Sequence, residues 1–233
     1  MKKLIIIPAY NEAGSIQKTV EQIKKDAKGF DFVVINDCSK DRTGEICEAE
    51  HIPVIHLPVN LGIGGAVQTG YQYALWHGYD VAVQVDGDGQ HDPKYLEKMA
   101  EVLEAEGADL VIGSRFLEKE GYLSSGVRRV GIRFFSLLIR FLTGQEITDP
   151  TSGMRMVGRE VLESFAKEYP TDYPEPETVV KILKSGKKVV EVPVRMRERN
   201  AGVSSISLSR SIYYMIKVSL AMVIASFQST GER

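Results

Sequence analysis

Short apolar runs that stop at a polar residue recur through the first half of this chain, and that rhythm restricts its fold more than any other feature. The runs are Leu4–Pro8, Phe32–Asp37, Val54–Leu57, Val81–Val85 and Leu110–Ser114, with a later one at Val189–Met196. They have the length and β-branched content of buried strands. Helical spacing of apolar residues fills Ser15–Lys28, Asp41–Glu50, Gly64–His77 and Pro93–Glu106. Ser15, Asp41 and Asp92 are N-cap candidates, and Pro93 suits a first helical position. This alternation predicts an α/β fold, a mainly parallel sheet flanked by helices on both faces.

In such sheets ligands bind at the carboxyl ends of the strands. The polar clusters obey that geometry. Tyr10-Asn11-Glu12 follows the first run, Asp37 closes the second, Asp86 and Asp88 follow the fourth, and Arg115 follows the fifth. All are expected to converge on one cleft. The segment Val83–Pro93, VQVDGDGQHDP, carries the most chemistry. Alternate residues of an extended chain face the same way, so Asp86, Asp88 and Gln90 can share a face. Gly87 and Gly89 let other groups approach the backbone. Two carboxylates and an amide oxygen are hard donors, suited to Mg2+ or Mn2+ that already carries a phosphorylated ligand. A polar turn capping the next helix would use the same Asp and Gly residues, so the pattern is a hypothesis for its context to test.

The 233 residues suffice for one α/β domain with extensions or for two small domains. At 43% hydrophobic and 26% charged, the composition is that of an ordinary globular protein. A net charge of −2 argues against bulk nucleic-acid binding, which needs a basic excess. Cys38 and Cys47 provide no disulfide framework and no metal-like spacing with histidine, which points to packing roles in a reducing, cytoplasmic setting. The opening MKKLIIIPAYNE reads as a first strand and not a signal sequence, because its apolar run ends at Pro8.

Beyond about residue 116 the alternation fades. Glu118–Ser125 reads as an exposed loop, followed by the basic amphipathic helix VRRVGIRFFSLLIRFL. Arg129, Arg133, Ser136 and Arg140 fall on one stripe, with Phe134, Phe135, Leu138, Ile139 and Leu142 around the rest. Such a helix suits an anionic membrane surface, or equally a core position with its basic side solvated. Ile206–Phe227 is a second such helix, with Ser207, Arg210, Tyr214 and Lys217 on its polar stripe. It is barely long enough to span a bilayer and carries two cations. It is expected to lie in an interface, or to dock on the domain or on a second subunit of a homodimer.

Taken in order, IIIPAYNE, VVINDCSKDRT, NLGIGGAVQTGY, VDGDGQHDP, IGSRF, DPTSGMRM and VEVPVRMRERNAGVSSIS resemble a family 2 glycosyltransferase of the GT-A (Rossmann-like) fold. The nearest resemblance is to the dolichol- and polyprenol-phosphate hexose synthases, and it runs from Leu4 to about Ser205. It implies a catalytic domain over residues 1–205, with 206–233 as an appended amphipathic helix. It implies that Pro8, Ala9, Tyr10 and Glu12 line a nucleotide pocket and that Asp37 accepts hydrogen bonds from the base. Gly62 and Gly64 would let the backbone lie against the nucleotide, although a plain turn and helix start would use them too. Asp86 would sit near the ribose and metal, with Asp88 and Gln90 on the divalent ion. Arg115 would face the acceptor phosphate, and Arg128 or Arg129 would add a second positive group. Asp149, Ser152 and Arg155 would help close the sugar pocket, and Arg199 would fold over the diphosphate.

The chain departs from this pattern in two places. Ser205 stands where many synthases have lysine, so Arg197 or Arg199 is left to compensate. The loop TDYPEPETVVKIL offers Glu175 and Glu177 where relatives carry an acidic pair that helps select or orient the sugar. The resemblance implies inverting transfer of a hexose from a GDP- or UDP-linked donor, helped by Mg2+ or Mn2+. Transfer to a polyprenyl phosphate at the cytoplasmic membrane surface is the expected reaction. A saccharide hydroxyl as acceptor is the alternative, and a silent sugar-nucleotide-binding scaffold is the reading from another class. A nucleotidyltransferase would need a glycine-rich, basic loop after the first strand, which PAYNEAGS does not supply.

Overall fold

The computed structural model describes residues 1–118, 126–197 and 208–228. Seven strands form one sheet: β1 (Lys3–Ala9), β2 (Asp31–Asn36), β3 (Val54–His56), β4 (Val81–Gln84), β5 (Leu110–Ser114), β6 (Arg155–Val157) and β7 (Val189–Pro193). Their order is β3-β2-β1-β4-β6-β5-β7. All run the same way except β6, which is antiparallel to both β4 and β5. The mainly parallel sheet expected from the alternation is therefore what forms.

Strand periodicity divides the core. Leu4, Ile6, Val33, Ile35 and Ala82 face one layer, and Ile5, Ile7, Val34, Val81 and Val83 face the other. The first layer holds α3 (Gly62–Trp76), α5 (Gly126–Thr143), α6 (Arg159–Lys167), α7 (Pro174–Lys184) and α8 (Leu208–Gln228), and the second holds α1 (Ile16–Asp26), α2 (Thr43–Ala49) and α4 (Leu96–Ala105). The sequence places four of these helices within a few residues of their observed bounds. Asp92 caps the 3-10 turn Pro93–Tyr95 that leads into α4, accepting from Lys94 N–H. Asp41 does the same for Thr43 N–H at 2.9 Å, although the cap position itself is Arg42. Ser15 occupies the α1 cap, but its hydroxyl donates to the Glu12 carboxylate at 2.6 Å and makes no capping bond.

The expectation that regular order fades after residue 116 needs correction. Three elements were not foreseen. β6 is three residues long, too short to show a period. α6 carries Val161, Leu162 and Phe165 into the core. TDYPEPETVVKIL is not a loop. Tyr173 takes a left-handed conformation (φ 51°), and Pro174 then opens α7.

α5 and α8 are helical as expected. Ile132, Phe135 and Ile139 of α5 and Val218, Met222 and Ala225 of α8 are buried in the shared core. Val130, Phe134, Leu137 and Phe141 of α5 and Tyr213, Ile216, Leu220, Ile224 and Phe227 of α8 remain exposed. Two residues of the polar stripe of α8 contact neighbouring elements. Lys217 Nζ pairs with Asp172 at 2.5 Å, and the Tyr214 ring meets Tyr173 at 4.5 Å and Phe135 at 5.5 Å. Ser207 and the Arg210 side chain lie outside the described residues. Among the described residues, no helix is long and apolar enough to cross a membrane.

Candidate active site

The carboxyl ends of β1, β2 and β4 form the floor of the site. Pro8 and Ala9 close β1 and are buried, while Tyr10 stands exposed beyond them. The next turn is stitched to the loop after β2. Asn11 N–H donates to Ser39 Oγ, Lys40 N–H to Asn11 Oδ1, Glu12 N–H to Thr43 Oγ1 and Ala13 N–H to Asp41, all at 2.8–3.0 Å. Asn11, itself left-handed at φ 58°, together with Ser39, Asp41 and Thr43, thus builds the wall. The sequence puts Asn11 at the cleft but gives Ser39, Asp41 and Thr43 no place in it, Asp41 being read only as a helix cap. Their signal was the concentration of Asx and hydroxyl residues in two loops, the residue types that bond backbone groups locally.

Asp37 is buried, and its carboxylate accepts the N–H groups of Leu61 (2.7 Å) and Gly62 (2.9 Å) at the start of α3. The NLGIGG glycines have definite structural reasons. Gly62 is left-handed at φ 76°. A Cβ on Gly64 would lie 2.0 Å from Pro170 O, and Gly64 N–H donates to Thr171 O. Gly64 therefore serves the close approach of α3 to the α6–α7 connection.

The turn after β4 lies against β1 and α1. A Cβ on Gly87 would stand 3.2 Å from Pro8 O, and Gly87 O accepts from Thr19 Oγ1 at 3.1 Å. Asp86 Oδ1 accepts from Gln84 Nε2 at 2.9 Å. Asp88 Oδ1 accepts the Gln90 N–H at 3.0 Å. Gln90 Nε2 faces Arg197 O at 3.4 Å, which directs the amide's oxygen end elsewhere. Among the described residues, no three His, Cys, Asp or Glu side chains gather as a full metal cage. Two carboxylates and one amide oxygen instead fit a Mg2+ or Mn2+ ion that keeps waters and substrate phosphates in its shell.

On the other side of the cleft, Arg115 and Asp149 face each other as a buried bidentate pair, Nε to Oδ2 at 2.6 Å and Nη2 to Oδ1 at 2.7 Å. Thr151 Oγ1 accepts a further bond from Nη2 at 3.1 Å. Arg155, fully buried, braces the same turn by donating to Ser152 O, Pro150 O, Glu175 O and Thr178 Oγ1. Ser152 Oγ donates to Gly113 O at 2.6 Å. Glu191 of β7 accepts from Thr148 and Asp149 N–H, and burial pushes its pKa up against those donors.

The acidic pair of α7 is split. Burial raises the pKa of Glu175, the nearby Arg155 charge opposes the rise, and the Asp86 charge adds to it. Glu177 sits with Glu168 and Lys181 at a small cavity of about 70 Å³ on the other side of the helix. Arg129 and Arg133 are exposed on α5. Arg199, Ser205 and the Arg128 side chain lie outside the described residues, whereas Arg197 pairs with Asp92 at 3.0 Å.

Comparison with known proteins identifies the family and the fold. The family model described as glycosyl transferase family 2 matches residues 4–165. The undecaprenyl-phosphate mannosyltransferase of Micrococcus luteus is 32% identical over 221 residues, covering 89% of this chain and 88% of that protein. The polyprenol monophosphomannose synthase of Mycolicibacterium smegmatis is 32% identical over 230 residues, covering 93% and 85%. Among solved structures, glucosyl-3-phosphoglycerate synthase from Mycobacterium tuberculosis, in complex with Mn2+, UDP-glucose and phosphoglyceric acid, superposes with a TM-score of 0.75. It does so at 18% identity over 97% of this chain and 79% of that one. With that fold, this acidic turn and these relatives, the chain belongs to glycosyl transferase family 2 and is a glycosyltransferase of the GT-A fold.

Proposed function

We propose that this glycosyltransferase moves a hexose from a GDP- or UDP-linked donor to a polyprenyl phosphate, with inversion at the anomeric carbon. The observation that carries the acceptor assignment is the engagement of Asp149. A sugar hydroxyl needs a carboxylate within reach to take its proton. Both Asp149 oxygens are held by Arg115, and Glu177 lies on the far side of α7. A phosphate monoester, with a second pKa of about 6, is already anionic and asks only for cationic positioning. The exposed Arg129 and Arg133 of α5 suit that need, whereas the Arg115 charge is largely met by Asp149. The Micrococcus and Mycolicibacterium relatives, named for mannosyl transfer to polyprenyl phosphates, support the same acceptor class.

In this reading Pro8, Ala9, Tyr10, Glu12 and Asp37 enclose the nucleotide, and Asp86, Asp88 and Gln90 hold the divalent ion. That ion would supply electrostatic stabilisation of charge on the leaving diphosphate, as the Mn2+ in the structural neighbour suggests. Arg199 is assigned to the same charge. The exposed apolar faces of α5 and α8, flanked by Arg129, Arg133 and Arg140, suit the anionic cytoplasmic surface where a polyprenyl phosphate lies.

A second reading, transfer to a saccharide hydroxyl, rests on Glu175. Its raised pKa is what a general base would need. The deciding experiment is transfer from a panel of UDP- and GDP-sugars, with Mn2+, to undecaprenyl phosphate in detergent. Product on the lipid phosphate is the expected result. Product formed only on oligosaccharide acceptors reverses the two readings.

A further inference from the structure

Val85 N–H makes the last ladder bond of β4 to β1, reaching Ile6 O at 3.0 Å. Successive N–H groups of an extended chain point to opposite edges, so Asp86 N–H turns toward β6. The pairing of β4 with β6, however, ends at Gln84–Arg155. The acceptor that Asp86 N–H finds is a side chain, His91 Nδ1, at 3.0 Å. The ring is only 3% exposed. Because Nδ1 accepts, the ring carries its N–H on Nε2, which stands 3.7 Å from Asp86 Oδ2. The other oxygen, Oδ1, is held by Gln84 Nε2. Gly153 completes the enclosure. A Cβ there would lie 3.2 Å from Asp86 Oδ2, 3.2 Å from Gln84 Nε2 and 3.4 Å from His91 Cε1. On its outer side the turn is closed by the His91–Met196 bridge and by Arg197 N–H donating to Gln90 O at 2.9 Å.

We propose that His91 is the positioning residue of the cation site. Its ring replaces the missing ladder acceptor and so folds residues 86–90 back as one turn that presents Asp86, Asp88 and Gln90 together. The proposal rests on the reading of those three residues as cation ligands. His91 acts through the backbone and carboxylate of Asp86 and does not touch the cation. Outer partners of metal ligands typically matter about 10–100-fold in metal affinity.

The test is titration of the purified full chain with Mn2+ alone, read from the electron paramagnetic resonance signal of the free ion. His91→Leu is expected to bind Mn2+ about 10–100-fold more weakly. His91→Asn, whose Oδ1 can take the place of Nδ1, is expected to recover most of that loss. A merely structural role would lower the melting temperature of His91→Leu and leave Mn2+ affinity at the wild-type level, and that result overturns the proposal. Should His91→Leu fail to fold, His91→Phe takes its place, because it keeps a ring in the enclosure yet offers Asp86 N–H no acceptor. Weakened Mn2+ binding supports the proposal, and wild-type binding overturns it. Asp88→Ala is the control: if it also binds Mn2+ as wild type does, the cation site lies elsewhere, and the functional reading falls together with the proposal.

Discussion

Arg115 grips both carboxylate oxygens of Asp149 from the opposite side of a buried turn, and Asp149 is itself fully shielded from solvent. Removing one partner strands the other's charge in a poorly solvated place, which costs about 3–5 kcal/mol. Asp149→Ala and Arg115→Leu are each expected to lose about that much stability by urea denaturation. The double variant should lose clearly less than the sum, because neither charge is then left alone. Additive losses would show that the pair is not coupled.

Gly64→Ala is expected to be among the most damaging small substitutions in the chain. The added methyl meets two backbone carbonyls, Pro170 O at 2.0 Å and Thr171 O at 2.5 Å, so a chain segment has to move and no side chain can yield instead. A cost of about 3 kcal/mol, the upper end of ordinary overpacking, corresponds to a fall of roughly 6–12 °C in melting temperature for a chain of this size. Gly131→Ala, on α5 where the nearest atom is the flexible Met215 Sδ at 3.4 Å, controls for the helical backbone term alone.

Asp88→Ala tests the cation site through chemistry. Removing a charge-stabilising group from the transition state typically costs about 10²–10³-fold in turnover. A loss of that size is expected in donor hydrolysis and in transfer. In the wild type, chelation should abolish both activities and added Mn2+ should restore them. Activity that survives chelation would exclude a cation role for this turn.

Glu175 offers a prediction in pH. Burial raises its pKa above the ordinary 4.5 despite the Arg155 charge. The folded state therefore holds this proton more tightly than the unfolded chain does. The stability so gained is complete below about pH 4.5 and is lost as pH rises through the raised value. Glu175→Gln cannot titrate. Its melting temperature minus that of wild type should therefore climb from pH 4 toward neutrality. A flat difference would show that the carboxyl is not shifted.

Phe141 is 85% exposed and Leu220 is 59% exposed. Replacing either with Asp should change stability by no more than about 0.5 kcal/mol, as for other surface positions. If the α5–α8 face meets a lipid surface, sedimentation with anionic vesicles should drop sharply in the double variant Phe141→Asp/Leu220→Asp. Undiminished co-sedimentation would remove the membrane from the proposed function.

Much of the fold was legible before any coordinates. The first five parallel strands and their helices repeat one local unit with strong periodicity, and Asp37, Asp86, Asp88 and Arg115 had to fall at strand ends once those strands were placed. What went unread was short or non-local. β6 has no period to detect, and Pro174 hid the start of α7 inside a segment rich in turn residues. The difference between Glu175 and Glu177 is a matter of helix phase. Two residues apart on a helix point about 200° from one another, so only one can face the cleft.

The sequence by itself determined the α/β alternation, the acidic turn after β4 and the family to which the chain belongs. All of these are written in local patterns of side-chain type and spacing. Only the tertiary structure decided that Asp149 is tied to Arg115, that Gly64 serves a contact between α3 and the α6–α7 connection, and that His91 supplies the acceptor β6 leaves missing. Each of those depends on groups far apart in the chain meeting within a few ångströms, a distance that sheet order and register set and that no local pattern encodes.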